Sequence, residues 1–175
     1  EKYPTCEQVA SAIEQRLQAM SDNNERLDVI TFAGNGEPTL HPEFEQIVDT
    51  TIALRNRYFP QVKISVLSNA SRLADESVFR ALNKVDNNIL KLDSAIDATL
   101  RVINQPSNKH FSVENLVQKM SLFNGNFIMQ TLFLKGMYNG LLFDNTTDEE
   151  IAAWLNVLKI LKPKQVMIYS LDRKT

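Results

Sequence analysis

One cysteine, two histidines and five glycines are all that the 175 residues contain of those types. A lone cysteine has no partner for an internal disulfide, and such usage fits a reducing compartment, so cytoplasm is the expected location. His41 and His110 stand far apart in sequence, so no zinc spacing exists, and no Ser/His/Asp set for nucleophilic hydrolysis is present. His41, beside Pro42, reads as a helix-entry residue rather than a metal ligand. No apolar run approaches the length of a membrane span, and the first residues lack a secretory pattern. Charge of one sign is missing too. Nineteen basic against twenty-one acidic residues give a net charge of −2, with no basic, aromatic-interleaved stripe of the kind nucleic acid selects.

What is present describes an ordinary globular chain. Hydrophobic residues make up 43% and charged residues 23%, enough apolar side chain at this length for one domain with a real core. The reading is a single domain over 1–175. Glu1-Lys2-Tyr3-Pro4 has no initiator Met and runs straight into a helix, and Leu171–Thr175 follows directly on a strand. The expectation is therefore a piece excised from a longer protein, truncated at both ends.

The periodicity alternates regularly. Val9, Ile13 and Leu17 recur every four residues behind Thr5 as N-cap, which predicts a helix over about 6–20. A strand follows at 27–33, then a helix carrying Phe44, Ile47, Val48 and Ile52, a strand at 62–67 and a short helix from Asp75. A strand at 89–93 precedes helices at 94–105 and 112–123 and a strand at 127–134. Residues 136–147 read as a long loop, whose Met137, Tyr138, Leu141, Leu142 and Phe143 either cover a pocket, pack on a part missing from this chain, or tuck against the chain's own barrel. A helix from Asp148 to Pro163 and a strand at 165–170 complete the order α(βα)4β. Strands always separated by helices imply parallel pairing with right-handed crossovers. Five strands are too few for a closed eight-stranded barrel of about 250 residues. The expected fold is an α/β open, partial (β/α) TIM-like barrel, with a flat doubly wound sheet as the alternative.

The chemistry concentrates where strands end. Val29-Ile-Thr-Phe-Ala33 is a buried-strand pattern that stops at Gly34-Asn35-Gly36, and Glu37-Pro38 follows at once. Pro38 biases Glu37 to an extended backbone, and glycine permits the turn. One carboxylate is thus placed just past a strand, on the ligand side of a parallel sheet. In the 89–93 strand, alternation sends Leu90 and Leu92 to the helices and Lys91 and Asp93 to the other face. Buried charges there must pair with each other or receive a ligand. Asn69 ends the second strand, either Gln130 or Thr131 must face inward in the fourth, and Tyr169 and Ser170 close the fifth. Convergence of such groups on one strand-end mouth is the signature of a binding site.

The string Phe-Ala-Gly-Asn-Gly-Glu-Pro-Thr-Leu-His-Pro42 resembles the Gly-Gly-Glu-Pro segment of radical S-adenosylmethionine (radical SAM) enzymes, with Asn35 in place of the first glycine. Lys91-Leu-Asp-Ser94 and Thr99-Leu-Arg-Val-Ile-Asn-Gln-Pro106 are similar to one branch of that superfamily, which includes wyosine-synthase-like and activating-enzyme-like proteins. Val66-Leu-Ser-Asn69 is similar to the family's third strand. The resemblance implies that Glu37, with the Gly36 backbone, holds the SAM amino group. It implies contacts of Lys91, Asp93 and Ser94 with the SAM carboxylate or ribose, with Asn69 beside them; Gln130, read from its strand-end position, is counted with the same cofactor site. It implies a [4Fe–4S] cluster on a Cys-x-x-x-Cys-x-x-Cys loop, which supports reductive cleavage of SAM to a 5′-deoxyadenosyl radical. That loop is absent here. Cys6 alone holds no cluster, its ligands are expected outside this chain, and the fragment by itself is expected to be inactive. Two other readings stand beside this one: an aldolase-type barrel with Lys91 as Schiff-base nucleophile, and a non-catalytic binding module. The substrate stays open among small molecule, protein and RNA, as does the oligomeric state; no membrane partner is expected.

Overall fold

A computed structural model describes residues 3–33, 36–106, 108 and 111–170. Gly34 and Asn35 of the glycine turn, His110 and the 171–175 segment lie outside the described residues. The chain is α/β. Strands β1 (Val29–Phe32), β2 (Lys63–Ser68), β3 (Asn87–Lys91), β4 (Ile128–Leu132) and β7 (Gln165–Tyr169) share one parallel sheet in that order, and the sheet is not closed. Helices α1 (Cys6–Asp22), α2 (Phe44–Tyr58), α3 (Glu76–Lys84), α4 (Asp97–Asn104), α5 (Val113–Ser121) and α6 (Asp148–Leu161) alternate with these strands as the periodicity predicts. By contact density the chain forms two compact units, residues 1–68 with 72–88, and residues 69–71 with 89–175.

In the first unit, Thr5 caps α1 in a full capping box: its hydroxyl accepts from the Gln8 amide, and the Gln8 side chain accepts from the Thr5 amide. α1 packs on α2 through Leu17 and Met20, and α2 buries Phe44, Ile47 and Val48. The Phe32 and Phe44 rings meet edge-on, 6.2 Å between centroids, the arrangement that ring quadrupoles favour. Residues Ile30 to Phe32 of β1 stand in register with Ile64 to Val66 of β2, so Ile64 and Val66, both fully buried, share the helix-facing side with Phe32.

In the second unit, Leu90 pairs in register with Met129, and both are fully buried. Gly125 turns the chain into β4 at φ +79°, and a Cβ there would stand 2.5 Å from the Lys162 carbonyl oxygen, so glycine is required on both counts. Residues 136–147 are not a plain loop. They contain a hairpin of β5 (Lys135–Tyr138) and β6 (Leu141–Asp144), turned by Asn139 at φ 48° and Gly140 at φ 78°. Asn-Gly with both residues left-handed is the two-residue turn whose twist matches a hairpin. α4 also starts later than the sequence pattern suggests, at Asp97, because Ser94 spends its hydroxyl on a tight turn to the Ile96 amide at 2.9 Å. No described helix is long and apolar enough to cross a membrane.

Candidate functional site

Glu37 leaves the β1 turn in the extended conformation that Pro38 imposes, φ −94° and ψ 114°. It then caps a single 3-10 turn, Pro38–Leu40. Its Oε1 accepts three hydrogen bonds: from the Thr39 amide at 3.1 Å, the Thr39 hydroxyl at 2.5 Å and the Ser68 hydroxyl at 2.9 Å. The carboxylate is half-buried, while Thr39 and Ser68 are buried. Gly36 beside it is exposed, and a Cβ added there would meet nothing within 4 Å.

A cavity of about 490 Å³ opens next to this turn, within the first unit; Glu37, Gly36, Phe32, Phe44, Tyr3 and His41 are among its walls. His41 is fixed in one tautomer. Its Nδ1 accepts from the Glu43 amide at 3.1 Å, so Nε2 carries the proton and donates to the Pro4 carbonyl at 2.8 Å. The Glu43 carboxylate in turn accepts from the Cys6 amide at 3.0 Å, which places an anion at the positive end of α1. His41 is thus a helix-entry residue, as its neighbourhood predicts, with α2 beginning at Phe44. The cavity is apolar and aromatic over most of its wall, with one carboxylate at the rim. That combination suits a ligand with an apolar body and a cationic head.

The remaining candidates belong to the second unit. Lys91 and Gln130 stand opposite each other in register and share one face of their strands. Thr131 takes the other face, where its hydroxyl donates to the Leu92 carbonyl at 2.8 Å and accepts from the Trp154 indole at 3.0 Å. Between Gln130 and Thr131, then, it is Gln130 that shares the Lys91 side. Asp93 is fully buried. Its Oδ1 accepts from the Leu132 amide at 2.9 Å, and the Lys91 ammonium stands 3.0 Å from Oδ2, an ion pair not aligned as a hydrogen bond. Burial raises the Tyr169 phenol above its ordinary pKa, with the nearby Lys91 charge opposing and Asp93 adding to the shift.

Ser94 is buried, and its hydroxyl is engaged by the Glu150 carboxylate at 2.7 Å as well as by the Ile96 amide. Asn69 is exposed and accepts from the Ser71 amide at 2.9 Å, closing a side-chain turn that leads into the left-handed, buried Ala70.

Three residues that the sequence reading did not single out matter here. Thr39 and Ser68 hold Glu37, and Asn145 fastens the hairpin base through the Asp93 carbonyl at 2.5 Å, the Leu132 carbonyl at 2.8 Å and the Leu134 amide at 2.7 Å. Thr39 was detectable in principle, because a hydroxyl two residues after a turn carboxylate commonly closes onto it. Asn145 lies 52 residues from Asp93, and no local pattern announces such a bond. The described residues contain no group of three or more His, Cys, Asp or Glu side chains able to hold a metal ion. Cys6 sits at the start of α1 with its Sγ 4.0 Å from the Thr50 hydroxyl.

No family model matches the chain. Among curated proteins, it is 28% identical over 168 residues to a UPF0026 protein of Methanocaldococcus jannaschii, covering 94% of this chain and 47% of that protein. It is 29% identical over 146 residues to a UPF0026 protein of Synechocystis, covering 81% of this chain and 49% of that one. A protein of Brachyspira hyodysenteriae named GTPase Obg is 26% identical over 157 residues, 87% of this chain and 21% of that protein. The chain therefore spans about half the length of the UPF0026 relatives it matches and about a fifth of the Obg protein. Among solved structures, SuiB of Streptococcus suis bound to S-adenosylmethionine superposes with a TM-score of 0.65 at 17% identity, covering 95% of this chain and 34% of SuiB. SuiB bound to its precursor peptide SuiA superposes at 0.64, also with 17% identity, over 92% of this chain and 32% of SuiB. The fold of this chain is thus the fold of a segment of SuiB.

Proposed function

We propose that these 175 residues are the central part of a radical SAM enzyme, an open partial (β/α) barrel whose strand ends bind S-adenosylmethionine. The observation that carries the reading is the Glu37 carboxylate, fixed at the cap of the Pro38–Leu40 turn by Thr39 and Ser68, beside a cavity of about 490 Å³. A fold shared with a protein crystallised with S-adenosylmethionine supports it. In this reading Glu37 accepts from the SAM ammonium, and the Gly36 backbone lies alongside, where the absence of a side chain leaves room. Lys91, Asn69, Gln130, Asp93 and Ser94, all of the second unit, are proposed as further SAM contacts. Asp93 and Ser94 are both buried and already engaged by Leu132 and Glu150, so they act by setting the positions of Lys91 and of the chain between β3 and α4.

A [4Fe–4S] cluster does not fit the residues present. Three thiolates are needed, one cysteine exists, and no alternative donor set stands near it among the described residues. The cluster ligands are proposed to lie outside these residues, and the fragment alone is proposed to be inactive. No specific observation favours the Schiff-base or the non-catalytic alternative.

Titration calorimetry of the 175-residue chain with S-adenosylmethionine tests the reading. Binding is expected, and Glu37→Gln is expected to weaken it about tenfold, the loss typical of one hydrogen bond to a charged group. A chain with no measurable binding, or a variant that binds as tightly as the parent, overturns it.

A further inference from the structure

We propose that Ser68, assisted by Thr39, is a positioning residue that sets the plane of the Glu37 carboxylate for an ammonium-bearing ligand; this rests on the SAM-binding reading above. A glutamate's terminal torsion is broad and confers little orientation by itself. Here three donors converge on one oxygen, Oε1, and with Oε1 fixed the direction of the second oxygen is fixed as well. Two of those donors come from Thr39 and belong to a local turn. The third comes from Ser68, 31 residues away at the last position of β2, and ties the carboxylate to the sheet itself.

Both hydroxyl residues are buried, Ser68 at 5% and Thr39 at 2% exposure, so their bonds are made away from bulk water and hold firmly. The donors are also neutral. An arginine or lysine in their place would hold the carboxylate equally well while cancelling its charge. These two hydroxyls and this amide orient the anion without themselves neutralising it. A carboxylate held in this way recognises a primary ammonium by direction as well as by charge.

Two ligands separate this role from a merely structural one. S-Adenosylmethionine carries the ammonium, and 5′-methylthioadenosine has the same nucleoside thioether end without the amino acid. With the 175-residue chain, Ser68→Ala is expected to weaken SAM binding about tenfold and to leave methylthioadenosine binding unchanged. Ser68→Thr, which keeps the hydroxyl, is expected to restore SAM binding. In a Glu37→Gln background, Ser68→Ala is expected to cause no further loss, because the two residues act as one unit. Thr39→Val, which removes one donor and keeps the amide, is expected to fall between parent and Ser68→Ala, and it reports on the same role should Ser68→Ala fail to fold. Equal losses for both ligands, losses that add to those of Glu37→Gln, or SAM binding unchanged in both Ser68→Ala and Thr39→Val overturn the proposal while the SAM reading stands. A parent chain that binds neither ligand removes both.

Discussion

Glu37 and Asp93 are carboxylates at strand ends, one in each compact unit, and they are held in opposite ways. Glu37 is half-buried and oriented by two hydroxyls and an amide. Asp93 is fully buried and faces an amide and the Lys91 ammonium. Neutral donors fix an anion's direction and preserve its charge, whereas a cation at 3.0 Å compensates the charge and makes its burial tolerable. The contrast separates two functions that a sequence motif joins. On the proposed reading Glu37 receives a ligand, whereas Asp93 holds together neighbouring parts of the chain.

The largest expected effect tests that division directly. Lys91→Met leaves Asp93 buried without its cation, and breaking such a pair from one side costs about 3 kcal/mol. Lys91 keeps 30% of its side chain exposed, which sets the figure at the lower end of the range. Glu37→Gln, by contrast, should lower the unfolding free energy by no more than about 1 kcal/mol, since the amide oxygen still accepts from Thr39 and Ser68. Chemical denaturation of the two variants side by side checks the comparison, and equal losses would break it.

A somewhat smaller effect sharpens the same point at the neighbouring strand. Thr131→Val removes the hydroxyl that donates to the Leu92 carbonyl, immediately before Asp93, and that accepts from the Trp154 indole. Both partners then lie buried without a bond, and the expected loss is about 2 kcal/mol. Because Thr131 faces α6 rather than the Lys91 side, SAM affinity should not change. A variant that keeps its stability and loses ligand would reverse the assignment of Thr131 and Gln130 to opposite faces.

How far these roles were legible in the sequence depends on the range of the interaction. Thr5 with Gln8, and Leu90 and Leu92 against Lys91, follow from local spacing: a capping box spans three residues and a strand alternates every two. Pro38 fixes the Glu37 backbone through covalent geometry alone. The Asn139-Gly140 turn was equally local, yet flanking Met137, Leu141 and Leu142 gave no clean alternation, so the hairpin read as loop. Glu150 shows the opposite failure. In the first turn of α6 a carboxylate is favoured by the helix dipole on the surface, but this one is buried against Ser94, 56 residues away. Ser68 carries no local signal either, and only the fold brings it to Glu37.

The smallest effect concerns a third carboxylate, which has cationic partners as Asp93 does and stays half-buried as Glu37 does. Glu45 on α2 receives a two-point fork from Arg80 on α3, at 3.0 and 2.8 Å, and a further bond from Lys84 at 3.1 Å. Those donors hold its carboxyl at about 2, against 4.5 for a free glutamate. Between those values the unfolded chain binds the proton and the folded chain does not, so the contribution of Glu45 is complete above about 4.5 and disappears as pH falls through about 2. Urea unfolding of the parent and of Glu45→Gln should therefore differ at pH 6 and converge toward pH 2. The same gap should shrink in 1 M salt, where screening acts over about 3 Å, while the gap between parent and Lys91→Met persists, because salt does not reach a fully buried partner. If salt closes both gaps alike, the Lys91–Asp93 pair behaves as a surface pair, and its claim to be a structural element of the strand-end mouth fails with it.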